Sequence, residues 1–391
     1  MLRVVHVITR FVNGGADENT LLTCNRQAEA GHRVWLVHGD EFTERMTGLL
    51  DPKVNVVELS SLTREVSLFR DMAALGSLAR LFRRVDPHVI HTHTSKAGIV
   101  GRLASFAVPR AKVVHGVHIL PFTSEPFAKR MVYLGLEKLA ALRTDAFIDV
   151  SEGMRDLCLA HSLGSDANHF VIRSGMDVDR FRHALPADDI AALRGSAEGT
   201  LIVGYVAVLE RRKRHRELLQ AMLPLLERHT QACLVMAGDG PERRLLEQMI
   251  AERGLSHRVR ILGFREDVER VLAACDVCVF TSQREGLPRS VVQYAIAGKP
   301  VVATWLPGID RVIRHEENGY VVPSDDFDAF AGKVETLVLD ERLRKTFAAA
   351  SAAADLSDWN ASVMAERIEQ VYRMFLGSGP NPDIVLAADG D

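Results

Sequence analysis

The chain has 391 residues, five cysteines and a formal net charge of −3. This length predicts two domains, and the near-neutral charge argues against nucleic-acid binding because it implies no extensive basic surface. No apolar run reaches the ~18 residues of a membrane span, and the odd number of cysteines favours reduced thiols over a disulfide framework. The composition therefore predicts a cytoplasmic protein.

Short apolar runs alternate with helical patterns, which is typical of parallel βαβ units. The first set of predicted strands covers residues 4–8, 34–38, 54–59, 89–93, 112–115, 146–150 and 170–173. The second set covers residues 202–206, 233–237, 259–262, 277–280, 301–303 and 320–322. Between them, the polar segment 181–200 has the composition of an interdomain link. We expect an α/β protein with two Rossmann-like halves.

A glycine pair, Gly14 and Gly15, lies between the first predicted strand and the following helix. Glycines at this point permit close approach of the backbone to a phosphate or an acceptor, although such a pair is more often a plain turn. Further along, His91 and His93 share one face of a predicted strand. The sequence offers no evident third ligand, so we expect hydrogen-bonded histidines rather than a metal site.

Two segments of the first half have basic amphipathic patterns, residues 75–85 and residues 122–136. Such helices can lie on an anionic membrane surface, which would suit a lipid-linked acceptor. The alternative is that they pack their apolar faces into the core and expose their basic faces to water. Both interpretations are open at this point.

The segment Glu285-Gly286-Leu287-Pro288 directly follows a short apolar run, which places it beyond the carboxyl end of a strand. Ligands of open α/β sheets bind at that edge. Pro288 suits the start of a helix, whose first N–H groups can hold an anion such as a diphosphate. Gln293 falls about two helical turns further on, so its side chain can face the same site as Glu285.

This pattern resembles the E-x7-E signature of the retaining nucleotide-sugar glycosyltransferases of family 4, with Gln293 in place of the second Glu. The resemblance extends from about residue 4 to residue 375 and is closest to members that act in bacterial surface-polysaccharide assembly. It implies the GT-B architecture: domains 1–183 and 199–356 face each other across a cleft, helix 357–376 packs back across both, and 377–391 is a disordered tail.

The resemblance also implies the reaction. A hexosyl or N-acetylhexosaminyl group passes from a nucleotide diphosphate sugar to a glycan or polyprenyl-linked acceptor with retention of configuration. No metal and no further cofactor are expected, and the enzyme would act at the inner face of the plasma membrane as a peripheral protein.

Site roles follow from the resemblance, position by position. Glu285 and His118 would contact the transferred sugar, and Gln293 the ribose hydroxyls. The family's phosphate-binding Arg position holds Val208 in this chain, so Arg211, Arg212 or Arg289 would have to supply that charge. The remaining donor-binding positions are Lys213, Gly286, Leu287, Pro288, Gly14, Gly15 and Gly263.

Two alternatives remain beside the transferase. A nucleotide-sugar epimerase of the same architecture would need no acceptor. A degenerate, non-catalytic partner of another transferase would account for Val208 and Gln293 together. Retention of Glu285, Lys213 and His118 argues against the degenerate partner.

Overall fold

The computed structural model describes residues 1–120, 126–196, 200–285 and 288–377. The chain divides into two units, one formed by Met1–Met176 with Ser357–Asp391 and the other by Asp177–Leu356. Each unit contains one parallel sheet with helices packed on it. The two Rossmann-like halves predicted from the alternation of strands and helices are confirmed.

The first unit has a seven-stranded parallel sheet in the order β3-β2-β1-β4-β5-β6-β7. Its strands are mostly buried on both faces, which explains why they form continuous apolar runs in the sequence. Every strand predicted in this half is present, with ends that differ by two residues or fewer. The strands are β1 (Arg3–Ile8), β2 (Arg33–His38), β3 (Asn55–Glu58), β4 (Val89–His93), β5 (Lys112–Val117), β6 (Ala146–Asp149) and β7 (His169–Val171).

Within the described residues, six helices connect these strands. Helix α3 places Ala74, Leu78 and Phe82 in the core of the unit, so the core-packing interpretation holds for the apolar face of predicted segment 75–85. The helices are α1 (Gly15–Glu29), α2 (Glu44–Gly48), α3 (Leu68–Val85), α4 (Ser95–Ala104), α5 (Phe127–Ala141) and α6 (Glu152–Ala160), with short 3-10 turns at Ser105–Ala107 and Asp166–Asn168.

The second unit has a six-stranded parallel sheet in the order β10-β9-β8-β11-β12-β13. All six predicted strands of this half are confirmed. They are β8 (Leu201–Val206), β9 (Ala232–Ala237), β10 (Val259–Gly263), β11 (Val277–Phe280), β12 (Val301–Thr304) and β13 (Gly319–Val322).

The described part of this unit contains eight helices: α7 (Val178–Arg182), α8 (Asp188–Ala191), α9 (His215–Arg228), α10 (Arg243–Glu252), α11 (Val268–Ala274), α12 (Arg289–Ile296), α13 (Phe327–Leu339) and α14 (Glu341–Ala352). Short 3-10 turns lie at Ala192–Ser196, Arg211–Lys213 and Ile309–Arg311. None of the helices within the described ranges could span a lipid bilayer.

The segment expected to be an interdomain link folds onto the second unit. Just before the segment, Arg180 on α7 pairs with Glu269 at 2.7 Å. Within it, the backbone N–H of Ala187 donates to the carbonyl of Arg270 at 2.9 Å. Ile190 on α8 is fully buried. The polar composition of the segment gave no indication of this buried residue. In the structure the second unit begins at Asp177, whereas we expected it to begin near residue 199.

The last described helix, α15 (Ala361–Phe375), belongs to the first unit. It is preceded by a 3-10 turn at Ser357–Trp359, whose last carbonyl accepts a hydrogen bond from the N–H of Met176 at 2.7 Å. The helix covers the sheet with Met364, Ile368, Val371 and Tyr372. Residues 378–391, where we expected the tail, lie outside the described ranges.

Candidate functional site

An ion cluster lies at the carboxyl end of β11 in the second unit, with Glu285 at its centre. One carboxylate oxygen of Glu285 accepts hydrogen bonds from the Lys213 ammonium and, at 2.6 Å, from the hydroxyl of Ser282. The other oxygen accepts from the Arg212 guanidinium at 3.2 Å. Arg212 also contacts Glu210 at 2.6 Å. The cluster therefore contains two cations and two carboxylates.

The position of this cluster follows from the topology of the sheet. Lys213 comes shortly after β8 and Glu285 shortly after β11, and these strands are neighbours at the point where the strand order reverses. Such a switch point is the usual ligand site of an open α/β sheet. The hydroxyls of Tyr205 and Thr281 both donate to the carbonyl of Lys213, at 2.7 and 2.9 Å, and hold the 3-10 turn against the strand ends.

The electrostatics of the cluster keep Glu285 ionised. Burial alone would raise the pKa of this carboxyl, but the charges of Lys213 and Arg212 and the hydrogen bonds from Lys213 and Ser282 outweigh it and hold the pKa below its ordinary value. Burial opposes the charge of Arg212, but the carboxylates of Glu285 and Glu210 outweigh it and raise the pKa of this guanidinium. The site therefore offers a fixed negative charge between two fixed positive charges.

The other predicted donor-binding positions of the second unit that the structure describes lie on or at the start of helix α12 and at the end of β10. Pro288 caps the amino end of α12, Arg289 is its first residue, and Gln293 is half-buried one helical turn later. Gly286 and Leu287 lie outside the described residues. Gly263 ends β10 with φ of +73°, and a Cβ at this position would lie 3.1 Å from an Arg243 guanidinium nitrogen.

The missing phosphate-binding arginine has a candidate replacement within the cluster. Val208 is half-exposed in the loop that follows β8, in the position where the family carries Arg. Arg211 is directed toward Glu217, with a guanidinium-to-carboxylate distance of 3.6 Å, and is largely exposed. Arg212, by contrast, contacts Glu285.

In the first unit, Gly14 caps the amino end of α1. Asp17 folds back onto this end, and its carboxylate accepts from the N–H of Gly14 at 2.8 Å and of Val12 at 3.2 Å. Burial raises the pKa of Asp17, although these two N–H groups oppose the shift. Gly14 and Gly15 are exposed, so their backbone is accessible, but one predicted anion-binding N–H is occupied by the protein's own carboxylate.

The predicted histidines of the first unit form a cluster with a third member that the sequence reading missed. His6 on β1 pairs in register with His91 on β4, and ring nitrogens of His6, His91 and His93 all lie within 4.8 Å of one another. No third ligand is evident from the sequence, and the structure supplies a candidate in His6. The expected hydrogen bonds are confirmed: His6 contacts His93 at 3.0 Å, and His93 contacts His118 at 3.3 Å.

Two further side chains extend this cluster. Gln27 on α1 contacts His6 at 2.8 Å, and Tyr372 on α15 contacts His91 at 2.6 Å. His118 is half-buried, whereas the other rings are fully buried. Asn19, Gly116 and the histidines 91, 93 and 118 line a small cavity of about 10 Å³, comparable with the space for a single water molecule.

Two family models match the chain along most of its length. The model for glycosyl transferases group 1 matches residues 188–353, and the glycosyl transferase 4-like domain matches residues 14–175. An Escherichia coli relative, UDP-Gal:alpha-D-GlcNAc-diphosphoundecaprenol alpha-1,3-galactosyltransferase, is 26% identical over 332 residues, covering 84% of this chain and 86% of its own length. The capsular polysaccharide biosynthesis glycosyltransferase CapM of Staphylococcus aureus is 23% identical over 336 residues, 82% of this chain and 86% of CapM.

Solved structures agree on the fold. Anabaena Alr3699/HepE in complex with UDP and glucose superposes with a TM-score of 0.80 at 22% identity, covering 97% of this chain and 100% of HepE. Sucrose-phosphate synthase from Thermosynechococcus elongatus gives a TM-score of 0.82 at 21% identity, with 97% and 100% coverage.

The two Rossmann-like units have the GT-B fold of these solved structures. The chain belongs to the group 1 glycosyltransferases, as the resemblance of its Glu285 motif implied. Both relatives described above are named as sugar transferases, CapM as one of capsular polysaccharide biosynthesis, and neither is named as an epimerase.

Proposed function

We propose that this glycosyltransferase moves a sugar, with retention of anomeric configuration, from a nucleotide diphosphate sugar to a polyprenyl-linked glycan acceptor in surface-polysaccharide assembly. The observation that carries the proposal is the ionised Glu285 carboxylate between Lys213 and Arg212 at the switch point of the second sheet. The E. coli relative is named for UDP-Gal, and the Anabaena structure is a complex with UDP and glucose. Sugars carried on UDP are therefore the first donors to test.

Lys213 and Arg212 are assigned to the donor diphosphate. A lysine ammonium has three N–H donors, so Lys213 can retain Glu285 and still bind a phosphate oxygen. Arg212 supplies the charge that Val208 lacks, since its guanidinium already lies beside Glu285. Two cations there stabilise the negative charge that grows on the leaving diphosphate.

The other roles complete donor binding. Glu285 and His118 contact the transferred sugar, and Gln293 binds ribose hydroxyls through an amide that both accepts and donates. Arg289 and the backbone N–H groups of Gly286 and Leu287 add donors for the diphosphate, and Pro288 sets the start of the helix that follows. Gly14, Gly15 and Gly263 permit close approach of the backbone to substrate.

The intact cluster also supports catalysis over a non-catalytic role. A degenerate partner has no need to hold a carboxylate ionised with two cations and a hydroxyl, because burying such groups is costly unless they are all paired. Val208 and Gln293 are then substitutions within a working site.

The test begins with a panel of nucleotide sugars and the Tm of the protein, because a donor that binds only the folded state raises it. The stabilising donor is then incubated with a lipid-linked saccharide. We expect a product longer by one sugar in the donor's anomeric configuration. A changed donor sugar without acceptor would support an epimerase, and stabilisation without product from any acceptor would support the non-catalytic partner.

Transfer should survive chelation of divalent cations. Both groups of three His, Cys, Asp or Glu side chains at metal-ligand spacing lie in the first unit, and none involves the described residues around Glu285. Lys213 and Arg212 supply the positive charge that a metal would otherwise bring to the diphosphate. The rate is measured after exhaustive EDTA treatment. Complete loss that only Mg²⁺ or Mn²⁺ restores would contradict metal-independent transfer.

Peripheral attachment to the inner face of the plasma membrane is part of the same proposal. Helix α5 exposes Phe127, Met131 and Val132 close to Lys129 and Arg130. The amino end of α3 exposes two more large apolar residues, Leu68 and Phe69. Apolar side chains with basic neighbours suit an anionic lipid surface. Residues 121–125, which include part of the predicted segment 122–136, lie outside the described ranges.

We expect the protein to sediment with vesicles that contain anionic lipid and to be released at high salt, because salt screens the attraction between charges. Phe69→Ser combined with Phe127→Ser should reduce sedimentation, whereas Leu339→Ser, an exposed apolar residue of the second unit, should not. Absence of binding, or binding insensitive to salt, would remove the membrane role from these helices.

A further inference from the structure

Three side chains connect the interior of the first unit to His118 in a continuous hydrogen-bonded line. Gln27 Oε1 lies 2.8 Å from His6 Nε2, His6 Nδ1 lies 3.0 Å from His93 Nε2, and His93 Nδ1 lies 3.3 Å from His118 Nε2. Gln27, His6 and His93 are buried, and His118 is the partly exposed end of the line.

The direction of every hydrogen bond follows from the amide of Gln27. Its NH₂ group donates to the Tyr372 hydroxyl at 3.3 Å, so its oxygen faces His6 and can only accept. His6 must therefore carry its proton on Nε2, which leaves Nδ1 as an acceptor. His93 must then donate from Nε2 and accept at Nδ1.

This reasoning requires rings that each carry one proton. Burial lowers the pKa of His6 to about 4, and burial followed by the neighbouring histidines lowers the pKa of His91 and His93 well below the ordinary value. Near neutral pH a ring that donates through one nitrogen therefore accepts through the other. His118, as the last member, donates to His93 from Nε2.

We propose that Gln27, His6 and His93 are positioning residues that fix His118 in the tautomer with its proton on Nε2 and an accepting Nδ1. In that state Nδ1 accepts a hydrogen bond from a hydroxyl of the transferred sugar. This last role rests on the proposed function of His118, whereas the tautomer itself depends only on the line of hydrogen bonds.

The surrounding structure keeps room for this line. A Cβ added at Gly116 would lie 3.1 Å from His93 Nδ1 and 3.3 Å from His118 Nε2, the two atoms that form the last hydrogen bond. A side chain at this position would push the two rings apart, so the hydrogen bond between them favours glycine here. β5 pairs with β4 so that Gly116 lies beside His93 in register.

His91 provides a matched control within the cluster. It is as buried as His93 and lies two residues away on the same strand, but it is outside the line and accepts at 2.6 Å from the Tyr372 hydroxyl, the group to which Gln27 donates. An asparagine at this position keeps an acceptor oxygen for that hydroxyl. The Nε2 of His91 has no hydrogen-bond partner among the described residues. Changing His91 therefore perturbs the same core without interrupting the line from Gln27 to His118.

The experiment is NMR of the full chain with isotope-labelled histidine, since ring nitrogen shifts distinguish a protonated from an unprotonated nitrogen. The His118 signals are assigned by their loss in His118→Ala. We expect wild-type His118 to be protonated on Nε2. Gln27→Leu, two rings away, should make His118 sample both tautomers, whereas His91→Asn should leave His118 protonated on Nε2.

A second pair of variants tests the last hydrogen bond. An asparagine amide can place its oxygen on Cγ where the histidine ring has Nδ1, so His93→Asn should keep the Nε2 tautomer of His118 and His93→Leu should lose it. In transfer assays, His93→Leu should lower turnover about tenfold, the equivalent of one lost hydrogen bond, with little change in donor KM, and His93→Asn should restore part of it.

Three results would overturn the proposal: wild-type His118 protonated on Nδ1, His118 signals that do not move in Gln27→Leu, or a stoichiometric transition metal in the purified protein. The line requires a proton between His6 Nδ1 and His93 Nε2, and a metal bound by these two nitrogens would replace that proton. The NMR result requires no transferase activity. An inactive protein with the expected tautomer would therefore contradict the proposed function and leave the positioning line intact.

Discussion

Glu285→Gln is expected to lower the rate of sugar transfer by about a hundredfold or more. The carboxylate is held ionised beside two cations, and a negative charge directed at the sugar stabilises the positive charge that develops there, which a neutral amide cannot do. Donor affinity should be retained or should increase, because the change releases Lys213 from its carboxylate partner. Turnover and donor affinity are measured separately by transfer assay and calorimetry.

Two matched variants define what this result means. Glu210→Gln removes the other carboxylate that contacts Arg212 but leaves the contact between Lys213 and Glu285, so its effect should stay below about tenfold. Gln293→Glu restores the usual residue of the family and should be tolerated, because a carboxylate accepts hydrogen bonds from ribose hydroxyls at least as well as an amide oxygen. Transfer at the wild-type rate in Glu285→Gln would refute the assignment of this motif as the catalytic centre.

The second large effect concerns stability. Arg102 on α4 and Glu137 on α5 form an ion pair at 2.5 Å, with 0% and 4% of their side-chain surfaces exposed. Glu137→Ala should destabilise the first unit by about 3–5 kcal/mol, because it leaves a buried guanidinium without its counter-charge. The hydrogen bonds of Arg102 to the Gly98 carbonyl at 2.8 Å and to Thr144 at 3.4 Å do not neutralise that charge.

Urea unfolding is followed by peptide-resolved hydrogen exchange, since the two units need not unfold together and a single midpoint would combine them. Glu341→Ala is the control: it breaks an exposed pair with Lys345 and should leave the stability nearly unchanged, because water screens that pair. Replacing both partners, Arg102→Met with Glu137→Leu, should recover most of the loss. Equal destabilisation by Glu137→Ala and Glu341→Ala would show that burial adds nothing to this pair.

Much of the second unit's candidate site could be predicted from sequence because it depends on strand ends. Apolar runs of four to six residues define β8 and β11, and a doubly wound sheet places their carboxyl ends side by side. Glu285 and Lys213 therefore meet although 72 positions separate them. Ser282 gave no such signal, because a serine in a loop is too common to indicate a contact.

The first unit was harder to predict because its polar cluster depends on which strands and helices are neighbours. His6 joins His91 only once β1 is known to lie beside β4, and Tyr372 reaches His91 from 281 positions away. Within segment 181–200, Phe181, Ala187 and Ile190 are buried although most of their neighbours are polar or exposed. The average composition of a segment does not reveal a few apolar residues of this kind, although their burial decides where the segment packs.

The return of α15 to the first sheet has a consequence for how the chain is made. The second unit, Asp177–Leu356, is continuous and can fold as soon as it leaves the ribosome. The earlier-made sheet must wait for Met364, Ile368 and Tyr372 to cover its strands, and until then Gln27 and His91 lack their shared hydroxyl. The first sheet can therefore be completed only after the whole second unit has been made, and a nascent chain stalled before residue 361 would leave the apolar residues that pack against α15 uncovered.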